Sequence, residues 1–273
     1  GKRITLAQQN GQGIGVGSTT GTFQLSAAEV ARLTNWSNIT IGNAGSTGLM
    51  TLGNVVLPTA SNVTFAANSI AVPGTVTIGG SAAKTLTISA PIVGSAGVST
   101  GSLTVAPGLS FSGSSINLSK FVANGTTNLF TGNVDITADE LTFAQANSFQ
   151  GTGRVTLQRH TAADVVLGGA SETWIGAGTN TSAFNSFQGH LVIGGNNTAD
   201  QVSDISTGNV SLGGGFNPTF SGDLTIFAGG DFTVLTGGLN VTGTATIVAL
   251  GIRDDSTGKI DDGGSGDPVL FAN

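Results

Sequence analysis

The 273-residue sequence lacks cysteine and tyrosine and has few charged residues, histidines or tryptophans. Without cysteine it cannot form a disulfide framework or a thiolate metal site. Only 9% of the residues are charged, and the residues that usually cover helix surfaces are scarce, so long helices are not expected. Nine lysines and arginines against 15 acidic residues provide no basic face for nucleic acid. No segment approaches the roughly 20 continuous apolar residues of a transmembrane helix.

The sequence is instead rich in triplets in which one polar residue, most often threonine, separates two apolar residues. This alternation is the smallest unit of a half-buried strand, with the flanking residues in the core and the threonine facing outward. The 44 glycines, with many serines and asparagines, supply tight turns between such strands. Examples of the triplet are Ile4-Thr5-Leu6, Ile39-Thr40-Ile41, Val63-Thr64-Phe65, Leu86-Thr87-Ile88, Val155-Thr156-Leu157 and Leu224-Thr225-Ile226.

The spacing of the triplets selects among all-β architectures. Their centres are separated by roughly 6 to 26 residues, whereas a propeller or a leucine-rich repeat keeps a stricter period. A parallel β-helix accommodates such irregularity because turns of variable length leave the stacked strands undisturbed. We therefore predict an all-β fold, with residues 1–273 forming one continuous β-solenoid of short strands, variable turns and at most one short helix.

One helix is predicted, within residues 25–33. Ser26 is a plausible N-cap, and Glu29 follows three residues later, which is the spacing of a capping box. Leu25 and Val30 have the spacing of a hydrophobic staple around this cap. An irregular loop is the alternative for the same residues.

The segment 23–52, FQLSAAEVARLTNWSNITIGNAGSTGLMTL, resembles a repeat of the large filamentous-haemagglutinin-like exoproteins of two-partner secretion. Residues 229–234, GGDFTV, resemble another coil of these proteins. The resemblance implies a right-handed parallel β-helix that is exported across an outer membrane and serves as an adhesin shaft or surface filament. In the first segment, the matching residues are Leu25, Ser26, Glu29, Leu33, Ile39, Ile41 and Gly42.

The sequence departs from this family at its secretion motif. The Asn-Pro-x-Gly-type motif of the family's secretion domain has no counterpart, since the one Asn-Pro pair, Asn217-Pro218, is followed by Thr219. We therefore expect a downstream segment of a longer protein or a relative that is exported by another route. The first residues, GKRI, lead straight into a triplet, so a targeting segment is expected to be removed or to lie outside this sequence.

Polysaccharide-cleaving enzymes also use parallel β-helices, so the acidic residues are the first candidates for catalysis. Glycoside hydrolysis needs two carboxylates several ångströms apart. Asp135, Asp139 and Glu140 form the main mid-chain acidic cluster, and we interpret Asp139-Glu140 as an exposed turn between two strands. The basic residues that a lyase would add do not cluster in the sequence; they are Lys84, Lys120, Arg154 and Arg159.

Three further patterns are candidates for ligand binding. His160 and His190 could approach each other after one or two coils, but without close carboxylates they make a poor metal site, and exposed turns are the better interpretation. The acidic, glycine-rich segment 253–268 offers Asp254 to Asp267 as calcium ligands without EF-hand spacing, so a solvated loop is favoured. Gly11 to Gly17 resembles a phosphate loop but lacks the Gly-Lys-Ser/Thr element, and we assign these glycines to tight turns.

The remaining surface features carry weaker predictions. Trp36 and Trp174 are the two tryptophans and leave little surface for stacking on sugars. The threonine rows raise ice binding as a function, but uneven triplet spacing argues against one flat threonine face. Turn chemistry accounts for most Asn-x-Ser/Thr sequons, with glycosylation left open; the asparagines concerned are Asn35, Asn38, Asn62, Asn117, Asn124, Asn180, Asn196, Asn209 and Asn240.

These observations favour an architectural function over a catalytic one. We assign no catalytic, cofactor-binding or metal-binding residue and expect a secreted bacterial surface filament, sheath or adhesin shaft. A β-solenoid ends in open strand edges, and neither terminus of this sequence resembles a cap, so we expect continuation in a longer polypeptide or end-to-end stacking of copies. The other expected partners are host or biofilm surface glycans or proteins. A polysaccharide-active enzyme or glycan-binding module on the same fold is the alternative.

Overall fold

The computed structural model describes residues 1–8, 10–45, 47–94, 101–170, 174–176, 181–195, 207–213, 216–235, 238–254, 259–261 and 269–272. The chain divides into two compact units, Gly1–Thr131 and Gly132–Asn273. Both consist of short strands that pair in parallel, which confirms the predicted all-β class. The acidic segment 253–268 lies largely outside the described residues.

The described residues of the first unit form sixteen strands and one α-helix, α1 (Ala27–Ala31). Its strands are β1 (Arg3–Leu6), β2 (Ile14–Val16), β3 (Phe23–Leu25), β4 (Asn38–Gly42), β5 (Leu49–Leu52), β6 (Val55–Val56), β7 (Asn62–Ala66), β8 (Ser69–Ala71), β9 (Thr75–Gly79), β10 (Thr85–Ser89), β11 (Ile92–Gly94), β12 (Ser102–Val105), β13 (Gly108–Phe111), β14 (Ser115–Asn117), β15 (Lys120–Ala123) and β16 (Asn128–Phe130).

Strand pairing in the first unit follows a regular rule, because most strands pair with the strand three places further along the chain. Three sheets result, with the orders β1-β4-β7-β10-β13-β16, β3-β2-β5-β8-β11-β14 and β15-β12-β9-β6. Triplets that are unevenly spaced in the sequence lie directly opposite one another, as Ile39-Thr40-Ile41 does to Val63-Thr64-Phe65. The connections between strands therefore absorb the irregular spacing.

The core of the first unit is formed by the apolar flanks of the triplets. One interior row runs through Ile41, Phe65, Ile88 and Phe111, and each of these side chains is at most 1% exposed. Complete burial of such a side chain contributes about 1.5–3 kcal/mol. The intervening threonines of these strands face outward, as the triplet pattern predicts.

Helix α1 confirms the predicted capping box. The Ser26 hydroxyl accepts a hydrogen bond from the Glu29 backbone N–H at 3.2 Å, and the Glu29 carboxylate accepts one from the Ser26 backbone N–H at 2.8 Å. The carboxylate also accepts a hydrogen bond from the Ser26 hydroxyl at 2.7 Å, and the two bonds that it accepts, from the Ser26 backbone first and the hydroxyl second, hold the pKa of Glu29 below its ordinary value. The helix buries Val30 and packs against β6, which lies at one edge of its sheet.

Glycine is required where a strand turns a corner, and Gly42 at the end of β4 shows why. Its φ is +87°, and a Cβ there would lie 2.1 Å from the Ala66 carbonyl oxygen. A side chain would be both strained and in collision with the next strand. Gly94 and Gly194 end strands in the same left-handed conformation. The Ile41-Gly42 pair noted in the sequence is therefore the point at which β4 ends and the chain turns.

In the second unit, the residues that the structure describes form fifteen strands and one 3₁₀ helix, Thr181–Ser186, which the sequence analysis did not predict. Its strands are β17 (Val134–Thr137), β18 (Glu140–Phe143), β19 (Phe149–Gln150), β20 (Arg154–Gln158), β21 (Ala163–Leu167), β22 (His190–Ile193), β23 (Thr207–Leu212), β24 (Thr219–Phe220), β25 (Asp223–Phe227), β26 (Asp231–Val234), β27 (Gly238–Val241), β28 (Ala245–Ala249), β29 (Gly251–Asp254), β30 (Lys259–Asp261) and β31 (Val269–Ala272).

Parallel pairing continues within the second unit. The strand orders are β17-β20-β22-β25-β28-β31, β21-β23-β26-β29 and β24-β27-β30. Leu157, Ile193, Ile226 and Ile247 form an interior row across the first of these sheets. The 3₁₀ helix places Phe184 within 5.1–6.1 Å of the rings of Phe149, Phe143 and Phe220, so aromatic side chains fill this part of the core.

Two triplets of the second unit depart from the predicted exposure. Thr156 and Thr225 are triplet centres, yet their exposed fractions are 0% and 9%. Both lie in one row across the sheet with Val192, which is also buried. The prediction that triplet threonines face solvent is therefore wrong at these two positions.

Candidate functional site

The mid-chain acidic residues are occupied in structural contacts. Asp139 lies in the short connection between β17 and β18, as predicted, and its Oδ1 accepts the backbone N–H groups of His160 and Thr161, both at 3.1 Å. Glu140 is the first residue of β18, whereas Asp135 lies within β17 and is 3.9 Å from an Arg154 guanidinium nitrogen. The carboxylates of Asp135 and Asp139 thus have partners in the fold, and Glu140 lies in a strand and not in the predicted exposed turn.

Asp139 illustrates a recurring device that the sequence analysis missed. An asparagine or aspartate at a strand start accepts the backbone N–H of a residue at the corresponding point of the next strand. This arrangement satisfies donors at the strand ends, where the sheet ladder stops. A recognisable signal is Asn or Asp directly before a triplet. The acceptor and donor pairs include Asn54 with Thr77, Asn62 with Thr85, Asn133 with Arg154, Asn209 with Asp231 and Asp223 with Thr244.

The two histidines are not brought together. His190 is the first residue of β22 and lies opposite Arg154, the first residue of β20. His160 follows the end of β20, six residues beyond Arg154 along the chain. The four residue steps from Arg154 to the end of β20 at Gln158 alone span roughly 13 Å along the strand, and His160 lies beyond that end. The prediction that His190 lies in an exposed turn is wrong, since it is half-buried within a strand.

His190 instead belongs to a polar row that crosses three neighbouring strands. Arg154 of β20, His190 of β22 and Asp223 of β25 lie opposite one another in register. We call these three residues the polar row. The basic residues were predicted not to cluster, and Arg154 indeed has no basic residue beside it in this row. Parallel pairing instead aligns Arg154 with a histidine 36 residues away and a carboxylate 69 residues away.

The polar row has a defined electrostatic arrangement. The Nε2 atom of His190 is hydrogen-bonded to the Thr225 hydroxyl at 2.8 Å. Burial lowers the pKa of His190, the Asp223 carboxylate opposes that shift, and the Arg154 guanidinium reinforces it. The imidazole is consequently held neutral near pH 7, with one hydrogen-bonding partner already fixed by Thr225.

A shallow groove of about 580 Å³ lies over the polar row. Gly153, Gly189 and Gly222 form part of it. A Cβ at each of these positions would lie 2.0 Å from a glycine carbonyl oxygen, that of Gly132, Gly153 and Gly189 respectively. The remaining lining is polar and supplies amide, hydroxyl, imidazole, guanidinium and carboxylate groups: Asn133, Thr152, Arg154, Gln188, His190, Ser221 and Asp223. Such a set can hydrogen-bond a neutral, hydroxyl-rich ligand.

The other candidates from the sequence have structural positions or lie outside the described residues. Gly11 and Gly17 adopt φ of +71° and +64°, as expected for tight turns, but Gly15 lies within β2. Trp174 is completely buried and is unable to stack on a sugar, whereas Trp36 is half-buried. Asn180, Asn196 and most of the Asp254–Asp267 calcium candidate fall outside the described residues.

In the described part of the chain, no three histidine or acidic side chains come together as a metal site would require. The described helices are also too short and too polar to cross a membrane. No protein-family model, curated protein or solved structure matches this chain.

Proposed function

We propose that the chain is a structural segment of a right-handed parallel β-helix belonging to a secreted bacterial surface filament, sheath or adhesin shaft of the filamentous-haemagglutinin-like kind. The observation that carries this proposal is the pairing of each strand with the strand about three places on, in parallel and in register, within both units. Stacked coils of three strands produce such pairing. Charged and catalytic-type side chains are few, while most apolar side chains serve the stack.

End-to-end stacking of copies is supported by the state of β1. Among the described residues β1 pairs on one side only, and its core-facing Ile4 and Leu6 are half-exposed. The equivalent side chains on the next strand, Ile39 and Ile41, are at most 1% exposed. A parallel strand added to β1 would continue both interior rows. Helix α1 packs against β6, which is the edge strand of a different sheet, so β1 remains an edge to which a further strand could add.

Sedimentation velocity over a range of concentrations, together with negative-stain microscopy, tests this stacking. Ile4→Lys places a charge in the interior row at the open edge and should abolish concentration-dependent assembly. Thr5→Lys places the same charge on the outer face of the same strand and should leave assembly intact. If the wild-type protein stays monomeric at high concentration, or if both variants assemble equally, stacking through β1 is wrong.

A second function, glycan binding, is favoured by the groove over the polar row. Among its described lining residues Asp223 is the one carboxylate, which does not provide the acid pair that glycoside hydrolysis needs. Binding without cleavage is therefore the better interpretation. Isothermal titration with soluble neutral polysaccharides should show binding that Gln188→Ala weakens and that the distant Thr104→Ala does not. Equal affinities for the wild type and Gln188→Ala would exclude this groove.

A further inference from the structure

The outer face of the β1-β4-β7-β10-β13 sheet carries an aligned row of hydroxyl groups. Thr5, Thr40, Thr64 and Thr87 lie opposite one another on four successive strands, and Ser110 continues the row on β13. We call the four threonines the threonine row. The argument that uneven triplet spacing prevents a regular threonine face is wrong for this sheet, because the connections absorb the differences in length.

The geometry of the threonine row is set by the sheet itself. Neighbouring strands lie about 4.8 Å apart, so the four hydroxyls span roughly 14 Å. Residues two positions away face the same side at about 6.7 Å. On one side the row is flanked by Asn38, Asn62 and Thr85, and Arg3 of β1 continues this side. On the other side Ser89 is partly exposed, whereas Gly42 and Ala66 are buried. The flanking residues are therefore uncharged from β4 onward. Both repeats are comparable with oxygen repeats in the lattice of ice.

The hydroxyls of the row are available to water. In the part of the chain that the structure describes, the hydroxyls of the threonine row and of Ser110 make no hydrogen bond to protein. Some threonines outside the row differ, since the hydroxyl of Thr131 donates to the Phe111 carbonyl and that of Thr126 to the Ala82 carbonyl. Each threonine of the row presents a methyl group beside its hydroxyl, and its β-branched side chain has restricted χ1 freedom.

The charge and apolar content of the face select its partner. From β4 to β13 no residue of this sheet is charged, so an ionic ligand has no counter-charge there. Aromatic rings that would stack on sugar are confined to the buried Phe65 and Phe111. The outward positions are also too polar for a hydrophobic contact with a second copy. The face is therefore suited to a partner whose surface consists of ordered, neutral hydrogen-bonding groups.

We propose that this threonine-row face binds ice. The in-register hydroxyls would hold water molecules in a regular array, and the methyl groups beside them would order the neighbouring water. Water ordered in this way can join the surface of a growing ice crystal. The proposed activity is independent of end-to-end stacking, because one sheet of one molecule carries the whole face.

The test is partition of the full-length protein into a slowly growing ice shell, together with inhibition of ice recrystallisation. The wild-type protein should be enriched in the ice relative to an inert protein. Thr64→Lys places a long charged side chain at the centre of the row and should lower the enrichment at least about tenfold by preventing close contact. Thr104→Lys is the matched control, since Thr104 is a half-buried triplet centre on another sheet of the same unit, and it should retain wild-type enrichment.

Thermal unfolding of each variant establishes that it is folded, and Thr87→Lys repeats the test on the adjacent strand if Thr64→Lys does not fold. Exclusion of the wild-type protein from ice overturns the proposal. Equal loss in Thr64→Lys and Thr104→Lys overturns it as well, because the effect would then come from added charge anywhere on the surface.

Discussion

The buried side chain of Asn128 provides a sharp test of how the strand stack is held together. Asn128 begins β16 and is 0% exposed. Its Oδ1 accepts the Leu109 backbone N–H at 3.2 Å, and its Nδ2 donates to the Gly125 carbonyl at 3.2 Å. The side chain thus joins the start of one strand to the neighbouring strand and to its own turn. Asn128 lies opposite Leu109, in the interior row that runs through Leu86, and Asn128→Ala removes both hydrogen bonds while leaving the apolar members of that row in place.

The expected cost follows from these contacts. Each hydrogen bond contributes about 0.5–1.5 kcal/mol net, and leaving the buried Leu109 N–H without its acceptor adds about 1–3 kcal/mol. Relaxation of the turn offsets part of this sum, so we expect Asn128→Ala to lower the free energy of unfolding by about 2–4 kcal/mol. That loss is a large fraction of the stability of an ordinary domain.

The matched control is Asn117→Ala in the same unit. The Oδ1 atom of Asn117 is buried without a hydrogen-bond partner, so its removal relieves an unpaired acceptor. We expect its free energy of unfolding to change by no more than about 0.5 kcal/mol, or to rise. Urea unfolding followed by far-ultraviolet circular dichroism measures both variants, and amide hydrogen exchange reports Leu109 directly. If Asn128→Ala costs no more than Asn117→Ala, or if Leu109 keeps its protection, the side-chain bridges do not stabilise the stack.

Three further predictions follow from other contacts. Because burial lowers the pKa of His190, the wild-type protein should lose stability as the pH falls below about 6.5, and His190→Gln should flatten that dependence, as pH-dependent thermal unfolding will show. Phe65→Ala should cost about 3–5 kcal/mol in urea unfolding because it empties a fully buried site, whereas Thr64→Ala beside it should cost below about 1 kcal/mol. Gly42→Ala should lower the free energy of unfolding more than Gly132→Ala. Both glycines have positive φ, so alanine adds a strain of about 1–2 kcal/mol at either position. At Gly42 the Cβ would also collide with the Ala66 carbonyl oxygen, whereas at Gly132 it would meet no atom within 4 Å. Equal losses for those two variants would contradict the assigned collision.

Local patterns in the sequence predicted local structure well. The apolar-Thr-apolar triplets became strands with buried flanks, and the Ser26–Glu29 spacing became a capping box. Both depend on interactions between residues a few positions apart, which single-sequence patterns contain. The 3₁₀ helix around Phe184 has no such pattern, because its position depends on contacts with distant aromatic rings.

The polar row was not predictable in this way, and the threonine row was predictable only in part. Thr40, Thr64, Thr87 and Ser110 are 24, 23 and 23 residues apart, a near-constant period that comparison of neighbouring triplets missed, whereas Thr5 and Thr40 are 35 residues apart. Arg154, His190 and Asp223 are 36 and 33 residues apart, and no comparable period marks them. Their alignment is decided by how much chain each connection takes up before the next strand begins. The same limitation explains Thr156 and Thr225, whose burial depends on what lies beside them on neighbouring strands.

The outward positions are where this fold is free to vary, because the inward rows are constrained by packing in both units. The two units use that freedom differently. Lys84 and Lys120 are the two charged residues between positions 33 and 134, whereas residues 135–170 alone contain Asp135, Asp139, Glu140, Arg154, Arg159 and Asp164. A backbone device explains part of the second pattern, since Asp139 and Asp164 accept backbone N–H groups of neighbouring strands. No such device requires the first unit to keep a sheet face uncharged through four strands. A purely structural shaft would tolerate lysine or glutamate there, and added charge would improve its solubility. Lack of charge is not confined to that face, because the strands of the β3-β2-β5-β8-β11-β14 sheet carry no charged residue either. The alignment of its threonines, more than its lack of charge, therefore distinguishes the face that we propose to bind ice.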